Sequence, residues 1–192
     1  MHIGLIMDGN GSWAADKGRS RAYGHQIGVK RIEECIRIAP SCGIKVLTLY
    51  AFSTENWKRP QAEIDVLFDL IRIHLNKKVY ELKDADVNVR FIGSRDKLSK
   101  SLIKSIKLIE DCTKECTGLH INVAVDYGGR DEIVKIIKEI ANDIKTDCLD
   151  LSDIDENLSN SELSEYLRNT TYKINPVWKS KDVPLGKDFK EF

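Results

Sequence analysis

Apolar and polar residues follow each other in blocks along this chain, and the period of the blocks changes from strand-like to helix-like and back. Ile3-Gly4-Leu5-Ile6-Met7 is a short apolar run that stops at Asp8-Gly9-Asn10-Gly11, which reads as a buried strand opening into a tight loop. Trp13-Ala14-Ala15 starts a helix or helical turn, and a polar loop with Arg19, Arg21 and His25 follows. Ile32, Cys35, Ile36 and Ala39 recur at the spacing of one helix face, and Gly43 ends that helix, which spans about 26 to 42. Ile44 to Phe52 is a second apolar strand, broken at Ser53-Thr54-Glu55-Asn56. Pro60 stands where a helix can begin, and Leu67, Leu70, Ile71, His74 and Leu75 keep helical spacing to about Lys83. Val87 to Ile92 is a third strand that ends at Gly93, before helical spacing through Leu98, Leu102, Ile106 and Ile109. Leu119 to Val125 is a fourth strand, ending at Asp126-Tyr127-Gly128-Gly129-Arg130, and Ile133, Ile137, Ile140, Ala141 and Ile144 mark a last amphipathic helix.

Four alternations of strand and helix imply an α/β fold, a mostly parallel central sheet covered on both faces by helices, in a single domain over 1–192. In such a sheet the residues after each strand gather along one edge, where ligands bind. That edge collects Asp8 to Gly11, Ser53 to Arg59, Gly93 to Arg95 and Asp126 to Arg130. Arginine offers paired donors to a phosphate, glycine lets backbone N–H groups approach it, and a carboxylate at a strand end offers a hard oxygen to Mg²⁺. The set therefore suits a phosphorylated ligand and a divalent cation. Asp-Gly and Asn-Gly are also hairpin turn signals, although no alternating partner strand follows here. Taken singly, Arg59, Arg95 or Arg130 reads as a solvated charge and Trp57 as a packing residue.

Composition narrows the classes further. The 192 residues are 42% hydrophobic and 31% charged, enough for one sizeable core. Thirty basic and thirty acidic residues cancel, which argues against a general binder of nucleic acid or anionic membrane and leaves room for a local cationic pocket. No signal peptide and no membrane-length apolar run is visible, so a soluble cytoplasmic protein is expected. Cysteines at 35, 42, 112, 116 and 148 form no disulfide framework and fit a reducing compartment. Cys112, Cys116 and His120 make half a zinc site without the second pair that would complete it.

Several strings carry a resemblance. His2 to Gly11, Gly24-His25, the run from Leu47 through Ser53-Thr54-Glu55-Asn56-Trp57-Lys58-Arg59-Pro60, and Tyr127-Gly128-Gly129-Arg130 resemble the cis-prenyltransferases, and among them the bacterial undecaprenyl diphosphate synthases. The similarity runs in register over about 1 to 145. It implies a Mg²⁺-dependent transferase that adds isopentenyl diphosphate in cis to farnesyl diphosphate, making an undecaprenyl-type lipid carrier precursor for cell-wall glycans. By the same resemblance Asp8 holds the metal and assists loss of the allylic diphosphate, cradled by Gly9, Asn10, Gly11, Ser12, Trp13, Arg21 and His25. Ser53, Thr54, Glu55, Trp57 and Arg59 line the meeting place of the substrates, Asn56 takes part in proton removal, and Glu63 supports the site. Because a neutral amide is a poor base, Asn56 is expected to act through diphosphate or water. The resemblance also implies a homodimer, transient contact with the inner face of the membrane as product leaves, and an apolar tunnel between the sheet and the helices at 26–42 and 61–83. Ordinary core packing is the competing role for Ile32, Ile36, Leu67, Leu70 and Ile71.

The chain departs from the family at Ser12, where an arginine is usual, and to a smaller degree at Ser94 and Asp126. Between about 177 and 183 the family's segment for binding isopentenyl diphosphate is missing, and no arginine follows Arg168. These departures favour a second reading, a catalytically impaired paralogue or partner subunit that still binds prenyl diphosphates. A metal-dependent phosphohydrolase built on Asp8 is a third, with only the glycines beside it in support.

Overall fold

A computed structural model describes residues 1–154, and the expectations about residues 177 to 183 lie outside them. The elements follow the predicted order: β1 (His2–Ile6), α1 (Asn10–Asp16), α2 (Arg21–Ile38), β2 (Val46–Ser53), α3 (Gln61–Asp84), β3 (Val87–Ile92), α4 (Lys100–Thr113), β4 (Leu119–Tyr127) and α5 (Gly129–Lys145). The four strands among the described residues are all parallel, in the order β1-β2-β4-β3. The expected α/β architecture is therefore present, and its strand ends share one edge.

Three local readings shift. Arg21 and His25 are helical, not in a loop, because the Ser20 hydroxyl accepts the Tyr23 N–H at 3.2 Å and opens α2 at Arg21. That helix ends at Ile38 and tightens into a 3₁₀ turn over Ala39–Cys42, where Pro40 supplies no N–H for another α-helical turn. The break after β2 is itself ordered, a 3₁₀ turn over Thr54–Lys58.

The core lies between the sheet and the helices α3 and α4. Leu47, Leu49, Val89, Phe91 and Ile121 project from the strands onto Ile64 and Val79 of α3 and onto Leu102, Ile106 and Ile109 of α4. Each such side chain contributes about 1.5–3 kcal/mol by leaving water. Close packing of α1 on α2 depends on glycine: a methyl group at Gly24 would run into the Asn10 carbonyl oxygen, and one at Gly28 would sit 2.8 Å from the Asn10 amide.

Coverage is unequal. Among the described residues β1 pairs only with β2, and Ile6 at its end is 81% exposed. No residue of α5 is buried, and Ile133 and Ile137 of its predicted amphipathic pattern are 59% and 58% exposed. Among the described residues β3 is thus buried at all but Arg90, whereas β1 is covered on one face only, by the packing of Ile3 and Leu5 against the core. Among the described residues no helix is long and apolar enough to cross a membrane.

Candidate active site

The apolar run of β1 ends where Gly9 takes a left-handed conformation (φ 80°), a turn that costs glycine little. Asp8 is left at the mouth of a cavity, its side chain 81% exposed, with Oδ1 accepting the Gly9 N–H at 2.8 Å. The cavity, about 170 Å³, lies between the ends of β1 and β2 and the helices α2 and α3. Its polar end is formed by Asp8, Gly9, Asn10, Gly11, Ser12, Arg21, His25, Ser53, Asn56 and Arg59. Leu67, Leu70 and Ile71 of α3 and Val29 of α2 form an apolar wall. The chain thus gathers residues from four separate segments around one amphipathic hollow. Of the residues named for a tunnel or for core packing, Leu67, Leu70 and Ile71 line this cavity, whereas Ile32 and Ile36 pack against the core.

A carboxylate below the polar end ties three cationic or protonatable groups together. Glu63, 15% exposed, meets Arg59 Nη1 at 3.0 Å, Arg21 Nε at 3.2 Å and His25 Nε2 at 3.7 Å. Arg59 also reaches toward Asp8, 3.8 Å away. Burial acts to raise the Glu63 pKa, yet the guanidiniums of Arg21 and Arg59 outweigh it and hold the carboxyl below the usual range. His25 is lowered, first by burial, which Glu63 partly offsets and Arg59 reinforces. At neutral pH the cluster therefore holds an ionised glutamate, two guanidiniums and an uncharged imidazole.

Asn56 has a prior commitment. Its Oδ1 accepts the Ser53 N–H at 2.9 Å, one half of a capping box whose other half is the Ser53 side chain receiving the Asn56 backbone N–H. The Asn56 NH₂ group is the part left to face a ligand, as a donor.

The remaining predicted positions lie elsewhere. Trp57 packs edge-on against Phe52 and Phe68, with ring centroids 5.1 and 5.5 Å apart, and donates from Nε1 to Asp126 Oδ1 at 2.6 Å. Thr54 and Glu55 line a second, wider hollow of about 940 Å³ with Arg95, Lys97 and Gly128. Tyr127 borders both hollows, and its hydroxyl, donating to Glu132 Oε2 at 3.0 Å, has a pKa raised to about 12, chiefly by burial. Trp13 is exposed and stacked on Tyr23 at 6.4 Å. Arg95 is bound to Glu110 at 2.8 Å.

Three contributions go beyond what the sequence reading assigned. Asp126, read there only as a strand-end residue and a departure from the family, is buried and left-handed (φ 51°) and anchors the turn after β2 through Trp57. Glu63 was read only as supporting the site, and the convergence of three groups on it is likewise tertiary; the capping of Ser53 by Asn56 is local but was not read either.

An amphipathic hollow with cationic donors at one end and aliphatic walls at the other is built for a ligand with an anionic head and an apolar tail. Residues 6–176 match the model of a prenyltransferase family described as undecaprenyl diphosphate synthase. An isoprenyl transferase of Aquifex pyrophilus is 44% identical over 159 residues, covering 79% of this chain and 69% of the relative. A ditrans,polycis-undecaprenyl-diphosphate synthase of Aliivibrio fischeri, specific for (2E,6E)-farnesyl diphosphate, is 40% identical over 85% of this chain and 63% of its own. The crystal structure of lavandulyl diphosphate synthase from Lavandula x intermedia, in complex with dimethylallyl diphosphate, aligns with a TM-score of 0.76 and 34% identity. That alignment covers 81% of this chain and 66% of the other, so the chain spans about two thirds of the length of these relatives.

Proposed function

Since the chain belongs to the undecaprenyl diphosphate synthase family of prenyltransferases, we propose that it transfers an allylic prenyl group, such as that of farnesyl diphosphate, onto isopentenyl diphosphate in cis. Repetition gives a long polyprenyl diphosphate. The observation that carries this reading is the hollow between β1, β2, α2 and α3, with a phosphate-suited end and an aliphatic wall in one space.

In this reading the allylic diphosphate lies on the turn from Gly9 to Ser12 and faces Arg21, His25 and Arg59, while its hydrocarbon tail lies along Leu67, Leu70 and Ile71. The two guanidiniums stabilise the negative charge that grows on the diphosphate as the allylic C–O bond breaks. The double bond of isopentenyl diphosphate supplies the electron pair for the new C–C bond, and a proton then leaves the carbon beside the cation. Asn56 orients isopentenyl diphosphate through its NH₂ group, its carbonyl oxygen already being engaged, so the proton passes to diphosphate or water. Ser53 borders the same place, Thr54 and Glu55 open toward the second hollow, and Trp57 stiffens the turn that carries them all.

Mg²⁺ fits Asp8. The carboxylate is exposed beside the phosphate turn, its Oδ2 has no partner among the described residues, and Mg²⁺ is commonly held by one carboxylate together with substrate phosphates. When bound, the ion neutralises charge on the departing diphosphate. A cytoplasmic homodimer that meets the inner face of the membrane when its apolar product leaves completes the proposal.

The test is incorporation of labelled isopentenyl diphosphate into butanol-extractable lipid, with farnesyl diphosphate and Mg²⁺, beside the Asp8→Ala variant. The expected result is metal-dependent incorporation that the substitution lowers at least about a hundredfold, the scale of losing one group that stabilises transition-state charge. A chain that binds farnesyl diphosphate yet incorporates nothing overturns the transferase reading.

A further inference from the structure

Glu63 sits beneath the polar end of the hollow and does not line it, yet it contacts three groups that do. Its two oxygens are divided: Oε1 takes Arg59 Nη1 and faces His25, and Oε2 takes Arg21 Nε. Arg21 comes from the first turn of α2, Arg59 from the loop before α3, and Glu63 from the first turn of α3. Without this shared carboxylate, two long cationic side chains from different segments would repel each other and sample many rotamers, so a bound diphosphate would have to order both.

We propose that Glu63 is a positioning residue for diphosphate binding: it fixes the Arg21 and Arg59 guanidiniums at the spacing a diphosphate needs, and so acts on the ligand through them. The inference rests on the diphosphate reading of the site. It makes a prediction whose sign is opposite to that of simple charge counting. Glu63→Gln removes a negative charge from an anion site, which by Coulomb attraction alone would tighten binding. A glutamine has one acceptor oxygen in place of two, so one arginine is released and preorganisation is lost. Glu63 thus raises affinity for an anion although it is itself an anion.

The experiment is calorimetric binding of inorganic diphosphate to the full chain, the single variants Glu63→Gln and Arg59→Gln, and the double variant, with circular dichroism melting to verify folding. Inorganic diphosphate reads the site whether or not the chain transfers prenyl groups, so absence of turnover leaves this test intact. Glu63→Gln is expected to weaken binding about tenfold, the equivalent of one hydrogen bond to a charged group. In the Arg59→Gln background the same change is expected to cost less than about threefold, because part of its target is gone. Glu63→Asp, which keeps the charge on a shorter arm, is expected to retain partial affinity. Tighter or unchanged binding by Glu63→Gln, or a full tenfold loss persisting without Arg59, overturns the positioning role. A parent chain that binds no diphosphate overturns both this inference and the reading beneath it.

Discussion

Helices α4 and α5 carry almost the same message in sequence and meet opposite fates. Both repeat large aliphatic residues at helical spacing, leucine and isoleucine in α4 and isoleucine in α5, with lysines and acids on the other side. In α4, Leu102, Ile106 and Ile109 are sealed against α3 and β3, Ile109 being 0% exposed; in α5 no residue is buried and Ile137 stays 58% exposed. The ends differ as well. The Ser99 hydroxyl accepts the Leu102 N–H at the start of α4, and Thr113 at its end accepts the Val89 N–H at 3.1 Å while donating to the Ile109 carbonyl. α5 is preceded by Gly128, which has no side chain to cap it, and a Cβ there would lie 2.5 Å from the Thr54 hydroxyl. Within the described residues the Tyr127 hydroxyl ties the helix down by donating to Glu132 Oε2. Periodicity states which face of a helix wants cover. Whether cover exists is decided by other parts of the chain.

That contrast can be broken at either helix. Ile109→Ala should have the largest effect, a loss of about 3 kcal/mol in urea unfolding, because it leaves a cavity among α3, α4 and the sheet. An unshifted midpoint would show that α4 is no better packed than α5. Ser99→Ala should cost about 1 kcal/mol by the same measurement, the usual worth of a helix cap, and a neutral result would show that the Leu102 N–H is satisfied without it. Ile137→Ala should lie within about 0.5 kcal/mol of the parent, as exposed substitutions do. A loss above about 1.5 kcal/mol would instead place Ile137 under cover in the whole chain, and the comparison would collapse.

The sequence was most readable where structure is local. Val87 to Ile92 was placed to the residue, because a β-branched run bounded by a glycine admits few alternatives. Asp8, the glycines after it and Arg59 were found because a parallel sheet brings strand ends to one edge, a rule that needs no coordinates. The coverage of β1 and α5 was not readable, since it depends on partners that periodicity does not name. Glu63 was read as supporting the site, but its three contacts, which come from α2 and the loop before α3, were not readable, because they depend on how those segments pack. Trp57 shows the reverse case: one residue read as both packing and substrate-lining, whose ring the structure turns onto Phe52, Phe68 and Asp126.

The strand order β1-β2-β4-β3 also has a meaning in time. β2 and β3 are made early and are never neighbours; the strand that belongs between them is the last of the four to be synthesised. Thr48 of β2 and Asn122 of β4, which share a hydrogen bond, are 74 residues apart. A chain emerging from the ribosome therefore carries two strands with open flanks until β4 arrives, and the sheet closes in one late step instead of growing strand by strand. Such long-range closure is slow, and it exposes apolar edges while it waits. Substitutions in β4 should for that reason slow folding out of proportion to their effect on the finished sheet.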